Sequence, residues 1–292
     1  MKAAAIWTET AGIAMLRFPF LEERASVLAG FMARPGGVSS DGHASLNWSY
    51  MVGDDPQAVA ENRRRALAAF GLQPEQAVLA GLVHGAAVAV VDGPPAGWPF
   101  VGAGPVPSGV PVRRREGCGF IGGVDGLATA LPGVALIITA ADCAPLYLVD
   151  PQRPAIGAGH AGWRGTVQGV AGALVQAMAE GLGSRPADLW AVVGPAIGPC
   201  CYEVDRAVIE PLQAAFPQDW EALARPTGAG KWHLDLWEAN RRQLIAAGVP
   251  AAQILAEGPC TACESERLFS HRAQQGRAGR GAAVLVLQGG AA

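Results

Sequence analysis

Apolar residues in this chain fall mostly in short runs closed by Gly, Pro, Asp or His. Val78–Val83, Ala87–Val91, Val134–Ile138, Leu146–Val149, Ala155–Ala158, Leu189–Val193 and Ala283–Leu287 each read as a strand buried on both faces. Helical spacing is confined to a few segments. Val167, Val170, Ala171, Leu174, Val175, Met178, Ala179 and Leu182 form one apolar stripe, which predicts a helix packed on a sheet with Thr166 as its cap. Asp55-Pro56 starts another helix, continued by Val59, Arg63, Ala66, Leu67 and Phe70 and ended by Gly71. Further helices are expected at Arg206–Phe216 and Leu236–Ala247. Ser45–Ser49 is polar and has no helical period, and Arg113-Arg114-Arg115 reads as a solvated loop end. The stretch near 93–112 is crowded with Gly and Pro and reads as an insertion or lid. Strands alternate with helices, and there is no repeat or linker. The expectation is one α/β (mixed α+β) domain over residues 1–292, with mixed sheets flanked by helices.

Composition narrows the function classes. The chain has 292 residues, half of them hydrophobic, enough for a sizeable core. Its formal charge of −3 offers no basic face for nucleic acid or anionic lipid. Glu9 interrupts the first apolar run, and no run approaches the roughly 20 residues that span a bilayer. Six cysteines, two of them adjacent, do not form a secreted disulfide pattern. A soluble cytoplasmic monomer with small-molecule partners is expected.

The most informative stretch is Val134–Thr166. Its second and third apolar runs flank the turn residues Asp150-Pro151-Gln152-Arg153. A hairpin centred on Pro151-Gln152 would set Cys143 directly opposite His160, with Cβ atoms about 4.5–5.5 Å apart. His84, Cys143 and His160 each stand at the end of an apolar strand, where sites in α/β sheets usually assemble. A buried His or Cys alone is more often part of a core. Two imidazoles and a thiolate together suit Zn²⁺, and three protein ligands leave a fourth position open, as in catalytic sites.

Two other features carry candidate chemistry. Cys260-Thr261-Ala262-Cys263 has the half-site spacing of a structural zinc or a redox pair. It lacks a convincing second pair, because adjacent Cys200-Cys201 would be expected to chelate poorly. Gly159–Thr166 is a glycine-rich corner opening onto a helix, where free N–H groups and the forked donor of Arg164 favour an anion. The alternative is that its glycines only permit a tight turn.

These motifs resemble the laccase-domain family of purine nucleoside phosphorylases, formerly called multicopper polyphenol oxidases and also known as peptidoglycan editing factors. The matching segments are Gly36-Gly37-Val38-Ser39, Ser45-Leu46-Asn47, Val52-Gly53-Asp54-Asp55, Val83-His84-Gly85, Ala141–Pro145, His160–Thr166, Ile197–Val204, Phe269-Ser270-His271-Arg272 and Gly279-Arg280. The resemblance covers nearly the whole chain and implies the laccase-domain, cysteine-hydrolase-like fold. It assigns zinc to His84, Cys143 and His160, and implies phosphorolysis of adenosine, inosine and methylthioadenosine with adenosine deamination as a second activity. The chain departs from the family pattern at Ala273, where a second arginine usually follows, and at Gly281, where Gln often stands.

Three functions follow. The first is a zinc nucleoside phosphorylase and deaminase, with phosphate near Arg164 and the residues after it, Gly165 and Thr166. Asp142 is the acid candidate or only orients a ligand. Asn47 and Arg63 are expected near the substrate without binding metal. The second is a cysteine hydrolase, with Cys143 as nucleophile and His160 as base, acting on a cell-wall precursor amide. The third is a non-enzymatic metal-binding protein. Copper is not favoured: a blue-copper centre plus a trinuclear cluster needs more imidazoles than the five histidines present.

Overall fold

In a computed structural model, residues 5–93, 112–115 and 118–289 are described; the insertion expected near 93–112 falls almost wholly outside them. The strands of the first half are β1 (Ile6–Thr10), β2 (Ile13–Arg17), β3 (Val27–Met32), β4 (Ala77–Gly81), β5 (Val88–Val91), β6 (Val112–Arg115), β7 (Cys118–Gly122), β8 (Gly126–Thr129) and β9 (Ala135–Ala140). Those of the second half are β10 (Ala144–Asp150), β11 (Ala155–Ala161), β12 (Trp190–Val193), β13 (Glu203–Asp205), β14 (Ala224–Gly228), β15 (Lys231–Leu234), β16 (Ile254–Ala256) and β17 (Gly281–Leu287). The helices are α1 (Pro19–Glu22), α2 (Pro56–Ala69), α3 (Trp163–Val167), α4 (Val170–Leu182), α5 (Arg206–Ala215), α6 (Trp220–Leu223) and α7 (Leu236–Ala246).

Two mixed sheets are stacked. The larger runs β1-β2-β3-β17-β9-β4-β7-β6 and the smaller β16-β12-β10-β11-β8-β5; β13, β15 and β14 form a third. Leu136, Ile138 and Leu285 of the larger sheet share one core with Tyr147, Ile156 and Ala158 of the smaller. Alternate residues point the other way. Ile137 and Val284 pack with Leu67 of α2, and Leu146 and Leu148 with Leu174 and Met178 of α4. Because both faces of these strands are covered, they read as continuous apolar runs rather than alternating ones. Tyr147 is fully buried, and its hydroxyl donates across the sandwich to the Gly30 carbonyl at 3.1 Å.

Three expectations need correction. The hairpin pairs Pro145 with His160 and Ala144 with Ala161, so Cys143 stands diagonal to His160 rather than opposite. The turn holds Pro151–Pro154 and is centred one residue later than expected. A shift of two in the pairing keeps both side chains on one face, which is why the two still meet. Thr166 is not a helix cap. It lies inside the five-residue α3, and Gly169, at φ +84°, separates α3 from α4. Arg113–Arg115 belong to strand β6, not to a loop. The Asp55 cap of α2 is as expected, its side chain accepting from Gln57 N at 3.0 Å.

The connections matter most for the site. β4 to β5, β7 to β8, and β9 to β10 each pass from the larger sheet to the smaller. His84, Asp125, and Asp142-Cys143 lie on those three passages, in the seam between the sheets.

Candidate metal centre

Asp125 organises the seam. It is fully buried, and its carboxylate accepts the backbone N–H groups of Val83, His84 and Gly85 at 3.2, 3.0 and 2.7 Å. These bonds hold His84 in the left-handed region at φ +61°, a conformation costly for a residue with a Cβ. The same carboxylate lies 2.9 Å from His160 Nδ1. An ionised carboxylate only accepts, so Nδ1 carries a proton and Nε2 is the nitrogen left to the seam, able to bind a metal once it gives up its own proton. Burial pushes the Asp125 carboxyl up, but the His160 bond and the Gly85 N–H outweigh it and hold it below its ordinary value.

The donor atoms of His84, Cys143 and His160 all lie within 4.8 Å of one another. Ligands around a tetrahedral zinc sit about 3.3–3.8 Å apart, so a small inward movement closes the set on an ion. The two imidazoles meet edge-on, with ring centroids 5.0 Å apart. Burial raises the Cys143 thiol, but the His160 charge and hydrogen bonds from His160 and His84 bring it down to about 6. Burial disfavours the His160 cation, yet the Cys143 charge and the Asp125 bond lift it to about 9. Cys143 is thus poised as a thiolate, the form that binds metal. Gly162 makes room for it: a Cβ there would stand 2.8 Å from Cys143 Sγ and 3.3 Å from His84 Cδ2. The residues fit a metal ion with three protein ligands and an open position.

The other expected site residues each have partners of their own. Asp142, at φ +83°, has both carboxylate oxygens engaged: Oδ1 accepts from Thr261 Oγ1 at 2.6 Å and Oδ2 from Arg272 N at 2.7 Å. Arg164 is exposed, its guanidinium 4.3 Å over the Trp163 ring. Gly165 is a packing requirement, since a Cβ would lie 2.9 Å from the Gly85 carbonyl. Thr166 is buried, and its hydroxyl accepts from Asn240 Nδ2 at 3.0 Å. With only one turn of helix following it, the glycine corner has little dipole to offer an anion.

Asn47 is fully buried in a polar network. Its amide donates to Asp54 Oδ2 at 2.8 Å, and its Oδ1 accepts from Arg280 N at 2.9 Å. Arg63 donates to the Trp48 carbonyl at 2.7 Å and stacks 4.4 Å over Tyr50.

One contributor escapes motif reasoning. Asp125 stood unnoticed between two short strands, although an acid flanked by Gly122, Gly123 and Gly126 is a signal for a tight polar turn. Arg280 and Tyr202 share the site's electrostatics. Burial lowers the Arg280 guanidinium, while Cys143 and Asp142 oppose that. Burial and then Cys143 raise the Tyr202 phenol, while Arg272 and Arg164 pull it back.

A second group converges as well. The sulfurs of Cys200, Cys201, Cys260 and Cys263 lie within 4.8 Å of one another. Adjacency does not prevent this, because a turn closed by Cys201 N and Tyr202 N on the Gly198 carbonyl, both at 2.9 Å, aims both sulfurs at Cys263.

Comparisons with known proteins place the family and the fold. The family model described as multi-copper polyphenol oxidoreductase laccase matches residues 28–288. The protein named purine nucleoside phosphorylase YlmD from Geobacillus stearothermophilus is 41% identical over 256 residues, 88% of each chain. Its crystal structure superposes with a TM-score of 0.83 at 36% identity, covering 98% of this chain and 100% of that one. A Deinococcus radiodurans protein named purine nucleoside phosphorylase is 38% identical over 94% of each chain. Adenosine deaminase RL5, from an unknown prokaryotic organism, is 34% identical over 79% of this chain and 82% of its own. By the match over residues 28–288 and its likeness to YlmD in sequence and fold, the chain belongs to the laccase-like family of multi-copper polyphenol oxidoreductase description.

Proposed function

We propose that the chain is a zinc-dependent purine nucleoside phosphorylase, converting adenosine, inosine or methylthioadenosine and phosphate to free base and pentose 1-phosphate, with adenosine deamination as a second activity. The observation that carries this is the open His84–Cys143–His160 donor set, braced by Asp125, in a chain similar to proteins named for those activities. Two nitrogens and one sulfur suit zinc better than the histidine-rich clusters of a multicopper oxidase. Among the described residues, the only other group of donors that converges is the all-sulfur one. A zinc ion here would supply Lewis acidity at its open position.

The chain's own residues supply the rest. Asp125 fixes the tautomer and angle of His160 and the backbone of His84. Asp142, with both oxygens occupied, acts as a positioning residue that ties the Cys143 loop to Thr261 and Arg272. Arg164 and Arg272, with Arg280 beneath, give the site its positive side, where phosphate binds and its attack on the anomeric carbon is oriented. Asn47 supports Arg280 through its backbone, which makes its contribution to the substrate an indirect one. Incubating the protein with adenosine, with and without phosphate, tests the reading by chromatography. Adenine and ribose 1-phosphate should form only with phosphate, and inosine without it. Neither product from zinc-loaded protein would overturn the assignment.

One observation favours a second reading. Cys143, His160 and Asp125 line up as nucleophile, base and orienting acid, with the thiol already poised toward thiolate. That arrangement suits a cysteine hydrolase acting on a cell-wall precursor amide. It leaves His84, held against its backbone preference beside Cys143, without a role. Amide cleavage by metal-free protein would establish it over the first.

A further inference from the structure

We propose that Cys200, Cys201, Cys260 and Cys263 form a second metal site, a closed tetrathiolate that holds Zn²⁺ for structure. The proposal does not rest on the phosphorylase reading.

Four thiolates around zinc at about 2.3 Å place neighbouring sulfurs about 3.8 Å apart. Here Cys263 Sγ is 3.6 Å from Cys200 Sγ and 3.5 Å from Cys201 Sγ, and all four sulfurs fall within 4.8 Å. A disulfide would need about 2.05 Å, and all six cysteines of the chain are free. The backbone is shaped for ligation. The Gly198 amide donates to Cys260 Sγ at 3.2 Å. A backbone donor aimed at the sulfur suits a thiolate, since a thiol accepts only weakly. The Cys260–Cys263 turn thereby has the one-residue-pair geometry of a zinc half-site, and the turn at Gly198–Tyr202 supplies the other half.

The cluster also has something to hold. It joins the loop after β12 to the loop after β16, two segments otherwise linked by the Ala196–Cys260 bridge and by Thr261 N donating to the Ala196 carbonyl at 3.0 Å. Thr261, inside the Cys-x-x-Cys turn, carries the hydroxyl that grips Asp142. Ile197 N donates to the Asp142 carbonyl at 2.9 Å from the other loop. A metal here fastens both loops that position the residue beside Cys143. With four protein ligands it leaves no position for substrate, so its role is structural.

Metal content of the purified full-length protein tests this without any activity measurement. Wild type should carry two zinc ions per chain if both sites fill. Cys143→Ser should retain one, and Cys263→Ser should lose the second. If the seam binds no zinc, wild type should carry one ion, kept in Cys143→Ser and lost in Cys263→Ser, so the two proposals fail separately. Should Cys263→Ser not fold, alkylation of zinc-loaded wild type by iodoacetamide gives the same answer. Cys263 is exposed and open to the reagent when no metal holds it; as a ligand it should be protected until a chelator strips the metal. Free alkylation of the zinc-loaded protein, zinc retained in full by folded Cys263→Ser, or a disulfide among the four in a non-reduced digest would overturn the assignment.

Discussion

The two sulfur-bearing clusters differ in donors and in what carries them. The seam cluster mixes two imidazoles with one thiol; His84 and Cys143 come from passages between two stacked sheets, and His160 from strand β11. His160 is only 3% exposed, and Asp125 behind it is not exposed at all. The other cluster is all sulfur, lies on two loops, and leaves Cys200 and Cys263 exposed. Three ligands fixed by a rigid scaffold leave room for substrate; four ligands on loops complete a staple. The difference teaches that position in the fold, more than donor chemistry alone, separates a reactive centre from a fastening.

The sharpest way to break the comparison is Cys143→Ser. Loss of the thiolate should empty the seam of zinc and lower phosphorolysis by roughly three powers of ten, since the ion supplies several kcal/mol to the transition state. Zinc bound to the four-sulfur cluster should remain. Metal analysis and product chromatography on one preparation check both halves. Phosphorolysis at the wild-type rate would remove the seam as the site.

Asp125→Asn comes next. The amide can donate to His160 Nδ1 and so place the proton on Nε2, the nitrogen that faces the seam. Loss of such an orienting partner typically costs about 10–100-fold in metal affinity. Titration against a competing chelator should show that drop for the seam ion and none for the other. Unchanged affinity would mean that Asp125 serves only the His84 loop.

How much of this was legible follows from which residues ended an apolar run. His84 and Cys143 follow strands buried on both faces and His160 lies near the end of one, and such strands leave an unbroken apolar signal. The hairpin register was missed by two because Pro154 belongs to the turn and moves its centre. The error did no harm to the juxtaposition, because a shift of two preserves the face. The helix after Gly165 was read as one because Val167 keeps the apolar period across Gly169, and only the positive φ of that glycine breaks it. Cys200 and Cys201 were discounted because adjacency says nothing of the turn that aligns their sulfurs. Asp125 and Thr261 act through single long-range hydrogen bonds, which no local pattern encodes.

Arg164→Ala separates phosphate binding from the metal. Its side chain is exposed and stacked on Trp163, so its removal should leave fold and zinc intact. A charge-assisted contact to phosphate is worth about 1.5–3 kcal/mol, or roughly one to two powers of ten. Phosphorolysis should weaken, with a raised KM for phosphate, while deamination, which uses water, suffers less. Equal losses in both activities would assign Arg164 to the nucleoside or to the fold.

The smallest effect is expected at Thr261, whose side chain joins the two clusters. Thr261 is 1% exposed, and its hydroxyl donates to Asp142 Oδ1 at 2.6 Å from within the Cys260–Cys263 turn. Thr261→Val keeps the shape and removes the donor. Asp142 retains its second bond, from Arg272 N at 2.7 Å, so the carboxylate is loosened rather than released. A hydrogen bond to a charged group contributes about 1.5–3 kcal/mol to stability, and only part of that should reach turnover. A fall of about threefold to tenfold in kcat is expected, with zinc unchanged at both clusters. Thr261→Ser, which keeps the hydroxyl, should restore most of the rate. If Val and Ser behave alike, the packing of the turn matters and the hydrogen bond does not. If Val instead releases zinc from the seam, Asp142 governs the placing of Cys143 itself, and the two clusters are more tightly coupled than their separate ligands suggest.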